Sequence, residues 1–151
     1  MPKFYPQAVI LAAGESSRFW PLNQKHKSLL RIMGEPLIQY TINGVRKAGI
    51  KDIIVVQGPE KDIERELTNT KIKYVVQKEP KGMGDALWQA KKFINGPFVV
   101  LNAERVDIEE IIQNSKFKSI LIGQKTKTPE LFGMMRLRGS KVLEIIEKPK
   151  G

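Results

Sequence analysis

Apolar residues along this chain fall in short unbroken runs, separated by polar stretches with helical spacing. Gln7–Ala12 (QAVILA), residues 72–77, Asp52–Gln57 (DIIVVQ) and residues 97–101 (PFVVL) are strand-length and rich in β-branched side chains. Consecutive apolar positions of that kind predict strands covered on both faces. Between them, residues 36–48 place Leu37, Tyr40, Thr41, Gly44 and Val45 on one helical face, and Gly49 follows as a stop signal. Residues 60–67 predict a short charged helix. Residues 84–93 predict a helix with Ala86, Leu87, Ala90 and Phe93 on its apolar face, and Ile108–Asn114 another short one. Residues 119–123 predict a further strand. From Leu131 the alternation ends: residues 131–137 and 142–147 read as two strands around a Gly139-Ser140 turn, an antiparallel addition at the sheet edge.

Strands alternating with helices predict an α/β fold, a Rossmann-like three-layer sandwich with a mostly parallel sheet and a small antiparallel addition near the C-terminus. The length of 151 residues fits one domain, 1–151, with no repeat, low-complexity tract or linker. The run stops at Lys150-Gly151 without a closing helix, which reads as a truncation that exposes an edge or apolar face and invites homo-oligomerisation. No apolar run approaches the ~20 residues of a membrane helix, and the first residues lack the apolar core of a signal peptide. A cytoplasmic protein with no membrane partner is expected.

The absence of cysteine excludes disulfides, zinc-thiolate sites and cysteine nucleophiles, and the single histidine, His26, excludes a His cluster. Any metal must sit on oxygen ligands, which favours magnesium. The net charge of +10 asks for an acidic partner. The lysines are dispersed and the aromatics are not interleaved with them, which argues against nucleic acid and leaves a basic cleft or a lysine-rich surface.

In open α/β sheets ligands bind at the carboxyl ends of strands. The loop after Leu11 is the most informative. Ala12, Ala13 and Gly14 let backbone approach a ligand closely, and successive N–H groups there can cradle phosphate. Arg18 and Lys27 add positive charge on the same excursion. The loop is neither a dinucleotide fingerprint, since Gly14 has no glycine two or five residues on, nor a GxxxxGK[ST] phosphate loop.

Leu11, Ala12, Ala13, Gly14, Arg18, Pro21, Leu22 and Lys27 resemble the signature of the sugar-1-phosphate nucleotidylyltransferases, an LAAGxGxR opening followed by PLT and PK. The chain departs from it at Ser16, Asn23 and His26. Residues 77–87 (QKEPKGMGDAL) look like the family's QxxxxGTGxAL segment, which implies that the Gln77 side chain and the Gly82 backbone recognise the base. Val99 to Glu104 falls where relatives have an apolar strand followed by Gly-Asp, whose aspartate binds magnesium. Here the pair is Ala103-Glu104, so Glu104 is the implied metal ligand, with Arg105 beside it as a competitor. Phe132-Gly133 and Glu147-Lys148-Pro149 resemble the YG and EKP elements, which implies sugar contacts from Gly133 and Glu147 and a phosphate contact from Lys148.

The resemblance implies transfer of a nucleotidyl group from a nucleoside triphosphate, UTP or dTTP favoured by Gln77, to a sugar-1-phosphate or similar phosphorylated molecule. The nucleophile is already anionic, so catalysis rests on positioning and charge. Arg18 is assigned to the triphosphate and leaving group, Lys27 to the α-phosphate. Asp85 reads as an auxiliary carboxylate or a helix N-terminal charge. A nucleotide-binding module without turnover is the competing reading, because of Ala103, Glu104 and the short chain. A basic nucleic-acid-binding domain is the third.

Overall fold

Residues 6–14, 25–67, 71–114 and 120–149 are described by the structure, a computed structural model. It divides into two compact units, Met1–Asn114 and Ser115–Gly151. The first contains β1 (Gln7–Ala12), β2 (Arg31–Ile32), β3 (Glu35–Pro36), α1 (Leu37–Lys47), β4 (Asp52–Gln57), α2 (Asp62–Glu66), β5 (Lys73–Val76), α3 (Met83–Ala90), β6 (Phe98–Asn102) and α4 (Ile108–Asn114).

The main sheet has the order β5-β4-β1-β6, with all three pairings parallel. β1 is central because both its faces are apolar: Ala8, Val9 and Ile10 are fully buried. Alternation then sorts the strand residues into two layers. Ala8, Ile10, Ile53, Val55 and Leu101 join Ile38, Ile42 and Val45 of α1, Ile63 of α2 and Ile108 and Ile112 of α4. Val9, Ile54, Val56 and Val75 meet Ala86 and Ala90 of α3 on the opposite face. The expected three-layer sandwich is thus formed. The predicted strand runs match β1, β4, β5 and β6 to within a residue at each end.

Several details differ from expectation. The buried face of α1 centres on Ile38, Thr41, Ile42, Gly44 and Val45, with Leu37 and Tyr40 only half-buried at its margin. Each fully buried isoleucine or valine there contributes about 1.5–3 kcal/mol of apolar burial. Gly44 makes room for α4: a Cβ there would lie 2.8 Å from Ile108 Cγ2. Ahead of α1 the chain makes an unpredicted small hairpin, β2 with β3, turning at Met33 (φ 50°) and Gly34 (φ 89°). Residues 120–123 form no strand, although 119–123 were read as one; an apolar run becomes a strand only where a neighbour completes its hydrogen bonds.

In the second unit, β7 (Gly133–Arg138) and β8 (Lys141–Glu147) pair antiparallel, with Gly139 (φ 60°) in the turn. This hairpin is a two-stranded sheet of its own, which corrects the expected addition to the edge of the main sheet.

Candidate functional site

The strand order reverses at β1. The chain moves outward from β1 to β4 and β5, then returns through α3 to place β6 on the other side of β1. In open α/β sheets ligands bind at the carboxyl ends of the strands next to such a reversal, here the ends of β1 and β6. Two groups of expected site residues lie along this carboxyl edge.

The first group lies at the carboxyl ends of β1 and β6. Ala12 ends β1 buried, Ala13 is half-buried, and Gly14 is exposed with open space where a Cβ would stand. Across from it, the backbone leaving β6 is held by three bonds: Ala103 N–H donates to the Leu11 carbonyl (3.2 Å), Arg105 N–H to the Asn102 carbonyl (3.1 Å), and the Thr41 hydroxyl of α1 to the Ala103 carbonyl (2.9 Å). Thr41 and Ala103 are fully buried, so the turn carrying Glu104 is fixed from beneath. Lys27, on a single 3-10 turn (Lys27–Leu29), places its Nζ 2.6 Å from Glu104 Oε1. The competitor for the Glu104 carboxylate is therefore Lys27; Arg105 pairs with Asp107 instead (2.7 Å).

His26 ties this group together. Its Nδ1 accepts from Ser28 N–H (3.2 Å) and lies 2.7 Å from Ser28 Oγ. That leaves Nε2 to carry the proton, and the ring also interacts with the Gly14 backbone. Burial, reinforced by the neighbouring Lys27 charge, holds the imidazole below its ordinary pKa; Glu104, Asp62 and the Gly14 bond oppose the shift. His26 thus joins the Gly14 turn to the Lys27 turn. The same segment is anchored at the surface by Lys25 and Arg31, which both bind Glu66 and hold its carboxyl below the usual range.

The second group lies at the end of β5. Gln77 is buried, and its Nε2 donates to the Gly82 carbonyl (3.2 Å) and to Asp85 Oδ2 (2.7 Å). Gly82 (φ 92°, ψ 175°) stands immediately before α3 in a conformation open essentially to glycine alone. The two base-recognising residues expected from the resemblance are thus in contact. β5 and β1 are two strand spacings apart, about 10 Å.

Gly133, Glu147 and Lys148 belong to the second unit. Gly133 is directly paired with Glu147, and Lys148 N–H donates to the Phe132 carbonyl (3.0 Å). A Cβ at Gly133 would lie 2.9 Å from Glu147 Oε2, so the glycine leaves room for that carboxylate. Arg18, Pro21 and Leu22 lie outside the described residues. Thr41, His26 and the Asp85 contact to Gln77 were not anticipated as parts of the site; a threonine within the apolar face of α1 was the one signal available for the first.

Among the described residues no group of three or more acidic or histidine side chains could hold a metal. A magnesium ion is usually held by one or two carboxylates together with substrate phosphates. Glu104, an oxygen donor about a third exposed, fits that pattern once its pair with Lys27 opens. No helix among the described residues is long and apolar enough to cross a membrane.

Comparison with known proteins agrees with this layout. The nucleotidyl transferase family model matches residues 7–151. The bifunctional protein GlmU of Methanococcus vannielii is 32% identical over 146 residues, covering 94% of this chain and 35% of that protein. The UTP–glucose-1-phosphate uridylyltransferase of Bacillus subtilis is 37% identical over 124 residues, covering 63% of this chain and 42% of that protein. A Bacillus anthracis structure named as a glucose-1-phosphate thymidylyltransferase, solved in complex with sucrose, superposes with a TM-score of 0.74 at 25% identity, covering 96% of this chain and 65% of that one. The chain spans about a third of the length of its GlmU relatives. A parallel sheet with its switch point between β1 and β6, and a family match over residues 7–151, establish that the chain belongs to the nucleotidyl transferase family.

Proposed function

We propose that residues 1–151 form the nucleotide-binding part of a cytoplasmic nucleotidyltransferase domain, which transfers a nucleotidyl group from UTP or dTTP to a sugar-1-phosphate and releases pyrophosphate. The observation that supports the reading is the Lys27–Glu104 pair beside the carboxyl ends of β1 and β6, linked through His26 to Gly14, with Gln77 and Gly82 on the same sheet edge. The backbone at Leu11, Ala12, Ala13 and Gly14 borders the phosphates. Lys27 leaves Glu104 to neutralise charge at the α-phosphate, and Arg18 serves the leaving pyrophosphate. The sugar phosphate's own oxygen attacks, so no side chain needs to supply a nucleophile. Magnesium would be held by Glu104 together with the substrate phosphates, and would supply charge neutralisation there. Gly133, Glu147 and Lys148 contact the sugar and its phosphate.

A second reading, binding without turnover, is favoured by one observation: the Glu104 carboxylate, which would hold magnesium, is already engaged by Lys27. Pyrophosphate release from UTP or dTTP with glucose-1-phosphate, with and without magnesium, separates the two. Magnesium-dependent release that Arg18→Ala abolishes supports the enzyme. Thermal stabilisation by nucleotide without release supports the binding module. No stabilisation by any nucleotide refutes both.

A further inference from the structure

Among the described residues of the first unit three glutamines are buried, and their hydrogen-bonding capacities are filled differently. Gln7 donates twice, to Asp52 Oδ2 (2.9 Å) and the Phe93 carbonyl (2.8 Å), and its Oε1 accepts from Asn95 N–H (2.7 Å). Gln57 donates to Glu64 Oε2 (3.0 Å) and accepts from Glu64 N–H (3.1 Å). In both, the amide oxygen and nitrogen are each engaged within the protein. Gln77, only 4% exposed, is different. Its two N–H groups go to the Gly82 carbonyl and Asp85 Oδ2, while Oε1 has no partner among the described residues. A carboxylate can only accept, so Asp85 fixes which end of the amide faces it. Asp85 is itself braced, because Gln89 Nε2 donates to its other oxygen (3.2 Å). A buried acceptor left open is costly unless a ligand or water supplies the donor.

We infer that Asp85 is a positioning residue that locks Gln77 as a pure acceptor, so that the site, resting on the nucleotide reading above, takes a base whose ring nitrogen carries a proton at that point. Uracil and thymine present N3–H there. Cytosine presents a lone pair, which would face the Gln77 oxygen with no proton between them. Asparagine at position 85 can either accept from or donate to Gln77, so the amide becomes free to turn.

The test measures dissociation constants of UTP, dTTP and CTP by calorimetry on the full chain, for the wild type, Asp85→Asn, Gln89→Ala and the control Glu64→Gln. The wild type should prefer UTP or dTTP over CTP by about tenfold or more. Asp85→Asn should narrow that ratio through tighter CTP binding, a gain that loss of structure cannot produce. Gln89→Ala should move it the same way by less, and Glu64→Gln should leave it unchanged. In 15N spectra the Gln77 side-chain amide protons should shift in Asp85→Asn, and this reads the lock without ligand. An unchanged ratio in Asp85→Asn, or an unshifted Gln77 amide, overturns the inference alone. Absence of binding by all three nucleotides overturns the nucleotide site and the inference with it.

Discussion

Replacing Thr41 by valine exchanges a hydroxyl for a methyl group and leaves the shape of the side chain nearly the same. The hydroxyl is the partner of the Ala103 carbonyl at 2.9 Å, and both residues are fully buried. Water cannot take over the bond, so the substitution strands a buried carbonyl at a cost of about 1–3 kcal/mol. For a chain of this length a cost of about 2 kcal/mol lowers Tm by about 4–8 °C. Thr41→Ser keeps the hydroxyl and removes one methyl group, which costs about 1 kcal/mol. Thermal unfolding followed by circular dichroism should therefore rank the wild type above serine and serine above valine. Because the Ala103 carbonyl fixes the turn that presents Glu104, valine should also reduce the nucleotide-induced rise in Tm. A valine variant that melts within about 1 °C of the wild type would show that the bond does not hold the turn.

Other outcomes follow from the same contacts. His26 is held neutral, with its folded pKa below the ordinary 6.5, so the unfolded chain takes up the proton first. Its contribution is complete above pH 6.5 and is lost as pH falls toward the depressed folded value; Tm should decline as pH is lowered from 7 through 6.5 and below, and His26→Asn, which retains an acceptor for Ser28 N–H, should flatten that slope. The Asp52 and Glu66 carboxyls, both lowered, act only in more acid solution. Glu104→Gln should change stability by less than about 1 kcal/mol, since the pair with Lys27 is solvent-accessible, but should abolish the magnesium-dependent part of nucleotide stabilisation; persistence of that part would remove Glu104 as the ligand. Gly133→Ala should displace the Glu147 carboxylate and raise KM for the sugar phosphate while leaving nucleotide stabilisation intact, and equal loss of both would contradict separate roles.

The parallel sheet was legible because its strands are buried on both faces and so appear as uninterrupted apolar runs. The phase of α1 was harder: Leu37 and Tyr40 are large, yet the buried spacing runs through Ile38, Thr41, Ile42 and Val45, one step around the helix. β2 and β3 are two residues each and carry no periodicity. At the site, the motif singled out Lys27 and Glu104 separately. Their contact joins positions 77 residues apart, and nothing local distinguishes it from the adjacent Arg105. Asp85 looked like a helix N-terminal charge because its partner, Gln77, lies across a glycine turn whose geometry appears only in three dimensions.

The central place of β1 also has a consequence in time. One flank of β1 is completed by β4, but the other waits for β6, whose Phe98 pairs with Gln7 roughly ninety residues later. At about 5–20 residues per second, a ribosome needs several seconds to cover that distance. Through that interval the Val9-Ile10-Leu11 backbone presents an open apolar edge on the side reserved for β6. Nascent chains arrested before β6 should accordingly be the species that chaperones hold and that aggregate when they do not, and substitutions in β6 should lower soluble yield more than they lower the stability of the molecules that finish folding.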